Sequence, residues 1–193
     1  MAHQIISDPP AHRIPDSVPF PRSYWVIPGK LLAGCYPGSP DKEDHDKLKA
    51  LIDHGIRHVI NLMAPDEVNW NGKPFVPYEA PMKSIAESMG HTIYFERMPI
   101  RDTWIPSRIE MSQILDHIDQ AIQENKPVYI HCWGGRGRTG TVAGCYLARH
   151  GISPGEKALE LIRELRRVTE DCDQSSPETL KQRDLVISWV KGE

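Results

Sequence analysis

Val128-Tyr-Ile-His-Cys-Trp-Gly-Gly-Arg-Gly-Arg-Thr-Gly140 is the stretch whose reading decides the fold. Its apolar, β-prone beginning, introduced by Pro127, reads as a short buried strand. A helix is expected from about Arg138 to His150, stopped by Gly151. Between them, Gly134, Gly135 and Gly137 let the backbone curl until successive N–H groups point inward. The helix start adds unpaired N–H groups and the positive end of its dipole, so the turn is built to hold an anion. Arg138 can fork two donors onto one tetrahedral anion. Cys132 falls on the floor of that cradle, where a thiol is expected to ionise below its ordinary range and act as a nucleophile.

Working outward, Tyr24 to Leu32 reads as a short hairpin broken at Pro28-Gly29, and Ile56 to Leu62 and His91 to Pro99 as further strands. Helices are expected from Asp41 to His54 and from Ser107, which opens a capping box with Glu110. Another is expected from Ser153-Pro-Gly-Glu156, read as a second capping box, with a stripe of Leu159, Ile162, Leu165 and Val168. The last would open at Ser176-Pro177-Glu178 and run to about Val190. Residues 64–83 read as a long loop, with one or two helical turns over 84–89. Strands alternating with helices predict an α/β fold: a mostly parallel sheet of about four to five strands with helices on both faces. Residues 1–22 carry five prolines and read as an extended arm, leaving 23–193 as a single domain.

The 193 residues suffice for one well-buried domain. With 39% apolar and 25% charged residues the chain is not of the disordered class. Its 23 basic against 26 acidic residues give no general basic surface, so no nucleic acid is expected as a partner. Cys35, Cys132, Cys145 and Cys172 contain no C-x-x-C pair, and His45, His54 and His58 fit no metal spacing, so neither metal nor cofactor is expected. No apolar run reaches membrane-spanning length, and the chain's start lacks the apolar stretch of a secretory leader. A cytoplasmic monomer is the expectation.

The central stretch resembles the signature HC-x5-R-[ST] of the cysteine-dependent protein tyrosine phosphatase superfamily. The likeness is nearest to its short dual-specificity members, including the branch of cyclin-dependent-kinase-associated phosphatases and their bacterial relatives. Leu31-Leu-Ala-Gly-Cys-Tyr-Pro37 resembles that family's N-terminal strand and turn, and Met98-Pro-Ile-Arg-Asp-Thr-Trp-Ile-Pro-Ser107 its general-acid loop. Ser176-Pro-Glu-Thr-Leu-Lys-Gln182 is similar to its glutamine-bearing segment. The resemblance implies the cysteine-phosphatase fold and hydrolysis of phosphomonoesters through a phosphocysteine.

Under that reading Cys132 is the nucleophile, Asp102 the general acid and then base, and Arg138 the phosphate ligand. Thr139 donates to the sulfur, His131 orders the loop, and Gln182 positions the hydrolytic water. Trp133, Gly134, Gly135, Arg136, Gly137 and Arg138 line the phosphate cradle. Trp133 either walls the pocket or packs outward against a neighbouring loop. Asp66, Glu67, Trp70 and Lys73 in the 64–83 loop are expected to touch substrate. The expected partner is a phosphorylated protein or peptide, carrying phosphotyrosine and also phosphoserine or phosphothreonine. Arg136 opens the alternative of inositol phospholipids or inositol phosphates, because a second guanidinium favours multiply anionic substrates. Its bland reading is an arginine pointing to solvent or pairing with a nearby carboxylate. A phosphate-capturing binding module and a sulfur-transfer enzyme are disfavoured by the joint presence of Cys132, Asp102 and Arg138.

Overall fold

The computed structural model of the chain describes residues 17–38 and 42–193. Most of the proline arm, and Asp41, lie outside the described residues. Five strands, β1 (Ser23–Ile27), β2 (Leu31–Gly34), β3 (His58–Asn61), β4 (Tyr94–Arg97) and β5 (Val128–His131), form one sheet in the order β1-β2-β5-β3-β4. The β1–β2 hairpin is antiparallel and every other pairing is parallel. β5 is central and pairs with β2 and β3 on its two sides. Buried on both faces, it is a continuous Val-Tyr-Ile-His run without the polar/apolar alternation of a half-exposed strand.

Helices α1 (Lys42–Asp53) and α2 (Glu79–Ser88) cover one face through Leu48, Leu51, Ile52, Met82 and Ala86. The other face carries α3 (Arg108–Gln123), α4 (Gly137–Arg149), α5 (Glu156–Leu165) and α6 (Leu180–Ser188). In α3, Met111, Ile114, Leu115 and Ile118 make the apolar stripe that helical spacing puts on one side. α4 differs: every residue from Gly137 to Ala148 is buried, so it runs through the core with neighbours all round. Its small residues make this possible. A Cβ on Gly144 would stand 2.7 Å from the methyls of Val186, so α6 can lie against α4 only because the side chain is missing.

Several expectations need correction. The 64–83 loop ends early because α2 begins at Glu79; Pro81 falls within its first turn, where a missing N–H costs nothing. The Ser107 capping box forms, but the one expected at Ser153 does not. Gly155, at φ 60°, is the N-cap of α5, and the helix starts only at Glu156. α5 ends at Leu165 and continues as a 3-10 turn, which turns Val168 outward to 39% exposure. The final helix starts at Leu180, capped by a box between Thr179 and Gln182, and ends at Ser188. The domain also begins before residue 23. Phe20 packs in the core edge-on to Tyr129, and Arg22 reaches the turn after β5.

Candidate active site

The carboxyl ends of β2, β5, β3 and β4 converge on one side of the sheet, where ligands of open α/β folds bind. Cys132 follows β5, and the turn from Trp133 to Arg136 curls back into α4. Gly135 sits at φ 77°, and a Cβ there would come within 2.6 Å of the Gly34 carbonyl carbon and the Cys35 nitrogen. The curl therefore requires glycine both for its backbone angle and for its contact with the end of β2. Arg136 is the N-cap of α4 and makes no side-chain capping bond, so the first N–H groups of the helix are left to the turn.

Cys132 is 3% exposed and forms the floor of a cavity of about 230 Å³. Thr139 Oγ1 donates to its sulfur at 3.1 Å. His131 is fully buried, and its Nδ1 lies 3.2 Å from the Cys132 carbonyl. A carbonyl only accepts, so Nδ1 carries the proton and Nε2 accepts from the Tyr78 hydroxyl at 2.7 Å. Burial pulls the His131 pKa down to about 3; the Cys132 carbonyl opposes this, while Arg97 and Arg138 add to it. The ring is thus held neutral and in one tautomer behind Cys132.

Arg138 has a side chain only 1% exposed. Glu67 takes both of its Nη groups, Nη2 at 3.0 Å, while Nη1 also donates to the Ile100 carbonyl at 3.1 Å. Glu67 is itself steadied by the Ala64 N–H at 2.8 Å. Asp102 Oδ1 lies 3.1 Å from Nη2. Burial by itself would lower the Arg138 pKa, but Glu67, Cys132 and Asp102 together raise it. Arg138 Nε is buried and has no hydrogen-bond partner among the described residues. Glu67 therefore grips one edge of the guanidinium, leaving the Nε donor unmet.

Asp102 lines the cavity with a side chain 59% exposed, on a turn whose next residue, Thr103, adopts φ 62°. A positive φ is strained for a β-branched residue and marks a turn fixed by its surroundings. Those surroundings include the Trp104 carbonyl, which accepts from Gln182 Nε2 at 3.2 Å, and the Trp104 ring, which has Lys181 Nζ 4.6 Å from its centroid. Gln182 is fully buried, and its Oε1 accepts from the N–H groups of Glu178 and Thr179. Here it ties α6 to the turn that bears Asp102, and its amide lies beside the start of α4, 3.2 Å from where a Cβ on Gly137 would stand.

The aromatic wall is real, and so is the outward packing. Trp133 lines the cavity and lies 4.5 Å, centroid to centroid, from Trp70, and Phe75 meets it edge-on. Trp70 is 89% exposed. Of the loop residues expected at the substrate, Glu67 and Trp70 reach the site; Asp66 and Lys73 are exposed and outside the cavity lining. Arg136 donates to Glu178 and to Gln174, each at 3.1 Å. Arg166 is a buried anchor that donates to the Gln174 carbonyl and to Asp171.

Arg22, Tyr78 and Glu178 were not marked by the sequence. Arg22 donates to the Gly134 carbonyl at 2.8 Å and lies near Glu170 and Asp171. The only signal for it was an arginine between the prolines and the first strand. Among the described residues no group of three or more His, Cys, Asp or Glu side chains is arranged to hold a metal ion. No helix among them is long and apolar enough to cross a membrane.

Comparison with known proteins bears on this geometry. The family described as Swiss Army Knife protein, DSP-PTPase phosphatase domain, matches residues 21–183. Protein tyrosine phosphatase domain-containing protein 1 of Bos taurus is 30% identical over 145 residues, 75% of this chain and 18% of its own length. Phosphatidylglycerophosphate phosphatase PTPMT2 of Arabidopsis thaliana is 31% identical over 137 residues, 70% of this chain and 52% of that protein. The chain thus spans less than a fifth of the first relative and about half of the second. Among solved structures, Tk-PTP in its active form superposes with a TM-score of 0.64 at 22% identity, covering 86% of this chain and 95% of that one. PTPMT1 in complex with PI(5)P gives 0.62 at 17% identity, covering 86% and 93%. At those identities the structural likeness establishes the fold.

Proposed function

The chain belongs to the DSP-PTPase phosphatase domains of the Swiss Army Knife family, phosphoric monoester hydrolases acting on phosphorylated substrates, and from that premise we propose that it dephosphorylates phosphotyrosine in proteins, and secondarily phosphoserine and phosphothreonine. The observation that carries the choice of substrate is the exposed Trp70 ring against Trp133 at the cavity lip. It offers an apolar, polarisable wall to an aryl leaving group.

The proposed chemistry follows from the donor set. An incoming phosphate monoester is held by the N–H groups of the 133–137 turn and by Arg138, through the unpartnered Nε and the Nη2 side that now lies 3.1 Å from Asp102. Its arrival frees the Asp102 carboxyl from Arg138 beside the leaving oxygen. Cys132 attacks phosphorus as the thiolate, and the P–O ester bond breaks with its electron pair on the leaving oxygen, which takes the proton of Asp102. The Asp102 carboxylate then accepts a proton from water as the water oxygen bonds to phosphorus. The P–S bond breaks, and the sulfur regains its electron pair, eased by the Thr139 hydroxyl at 3.1 Å. Arg138 and the turn stabilise the charge on the equatorial oxygens in both steps.

A second reading, hydrolysis of inositol phospholipids or inositol phosphates, draws on Arg136 in the cavity lining and on the solved neighbour PTPMT1, described in complex with PI(5)P; the Arabidopsis relative is named for a different lipid phosphate, phosphatidylglycerophosphate. A substrate panel separates the two. Phosphotyrosine peptides are expected to give the highest kcat/KM, with Trp70→Ala lowering it about 5- to 10-fold, the ~1 kcal/mol of an aromatic contact. Phosphoserine peptides should be little affected by that change. An inositol phosphate outpacing every peptide would overturn the proposal.

A further inference from the structure

The ion pair inside the cavity wall has a role in selectivity that rests on the phosphatase reading above. We propose that Glu178 sets the charge selectivity of this site: by engaging Arg136 it turns away substrates that carry a second anionic group beside the scissile phosphate.

Both side chains line the cavity, together with Cys132 and Arg138. Arg136 Nη2 donates to Glu178 Oε1 and Arg136 Nη1 to Gln174 Oε1, each at 3.1 Å. The acceptors are fixed from behind. The Glu178 N–H donates to Gln182 Oε1 at 3.1 Å, within the cap of α6, and the Glu178 carbonyl accepts from Arg183 Nη2 at 3.2 Å. Ser176 Oγ donates to the Arg136 carbonyl at 2.9 Å, tying the same segment to the catalytic turn. Glu178 Oε2 lies over Gly137, where an added Cβ would stand 3.1 Å away, so the carboxylate reaches the start of α4.

A singly phosphorylated substrate meets Arg138 and the turn and leaves this pair alone. A second phosphate or carboxylate a few ångströms from the first meets the Glu178 carboxylate and competes with it for the Arg136 guanidinium. In a walled cavity that repulsion is screened less than on an open surface. The side chains are 25% and 45% exposed, so the pair is open to competition and does not form a permanent strut. Removing the carboxylate removes the repulsion and frees a guanidinium for the second anion.

The test compares wild type, Glu178→Gln, Arg136→Leu and the double variant on a peptide bearing one phosphotyrosine, the same peptide with a second phosphorylated residue nearby, and an inositol mono- and bisphosphate pair. The readout is the ratio of kcat/KM for the doubly over the singly charged member of each pair. Glu178→Gln is expected to raise that ratio about 10-fold, equivalent to ~1.4 kcal/mol, mainly through KM of the doubly charged substrate. Adding Arg136→Leu should leave only the smaller part of that gain, the relief of repulsion, because no guanidinium remains for the second anion; a loosened loop would give the full gain with or without Arg136. A ratio within 2-fold of wild type in Glu178→Gln, or an undiminished gain in the double variant, would overturn the proposal. Wild type that hydrolyses inositol phosphates and no peptide would overturn the substrate assignment instead, and the inositol pair would still decide the role of Glu178.

Discussion

Acidification from pH 8 to pH 5 is expected to cost this fold about 2 kcal/mol through His131 alone. The imidazole is fully buried, donates from Nδ1 to the Cys132 carbonyl and accepts at Nε2 from Tyr78. Protonating Nε2 would remove the acceptor and place a charge in the core, so the folded pKa drops to about 3 from an ordinary 6.5. Below about pH 6.5 the unfolded chain binds a proton that the folded chain refuses. Stability from this residue is complete above that pH and is lost as the pH falls toward 3. The slope is ~1.4 kcal/mol per pH unit, so one and a half units below 6.5 give about 2 kcal/mol. For a domain of this size that is a fall in Tm of roughly 4–8 °C. His58, whose pKa burial also lowers against the opposing Glu96, adds a slope of the same sign. The decisive comparison is therefore between wild type and His131→Asn, whose amide N–H can replace the Nδ1 donor. Chemical denaturation at pH 8, 6.5 and 5 should show the pH-dependent loss smaller in the variant by about 2 kcal/mol, whatever its absolute stability. Identical pH slopes in the two proteins would refute the neutral, hydrogen-bonded histidine.

Glu67→Gln should lower kcat/KM on any phosphomonoester by about 10- to 100-fold, because a neutral amide replaces the carboxylate that orients a buried guanidinium, a contact of ~1.5–3 kcal/mol. Steady-state rates equal to wild type would contradict that role. Asp102→Asn should slow hydrolysis about 10²- to 10⁴-fold for alkyl phosphates and less for phosphates of acidic phenols, whose oxygen leaves without a proton. Equal losses across a leaving-group series would argue against general acid catalysis. Gly135→Ala should destabilise by roughly 1–3 kcal/mol and reduce turnover, given its φ of 77° and the backbone 2.6 Å from the new methyl. Unchanged denaturation and activity would show that the turn has another shape.

What the sequence disclosed is what short-range physics writes into it. The strand, the glycine-rich curl and the following helix are contiguous, and each signal (β-prone run, φ-permissive glycines, helix-start arginine) acts within a dozen residues. The Ser107 capping box likewise needs only four residues, and it forms. The Ser153 box failed because a nearby glycine offered the backbone a different start for α5, a competition that pattern alone does not rank. α2 was obscured by prolines that are tolerated in a first turn. The partners of the site were out of reach for another reason. Glu67 meets Arg138 across 71 positions, and Glu178 meets Arg136 across 42. The first pair exists only once the sheet order has brought the loops after β3 and β5 to one edge, and the second only once α6 has packed against α4 and carried Glu178 to the turn. Gln182 shows the same limit: its place near the site was legible, but not that its amide would be taken up by a helix cap and the Trp104 carbonyl.

The central claim is that Cys132 carries the phosphoryl group between substrate and water. The direct test is acid-quench mass spectrometry of Asp102→Asn mixed with an aryl phosphate of an acidic phenol, so that formation of the intermediate outruns its hydrolysis. One phosphate on the peptide containing Cys132 is the predicted result, absent in Asp102→Asn/Cys132→Ser. Phosphate on another residue, or none while wild type turns over the same substrate and Asp102→Asn still releases the phenol, would contradict it.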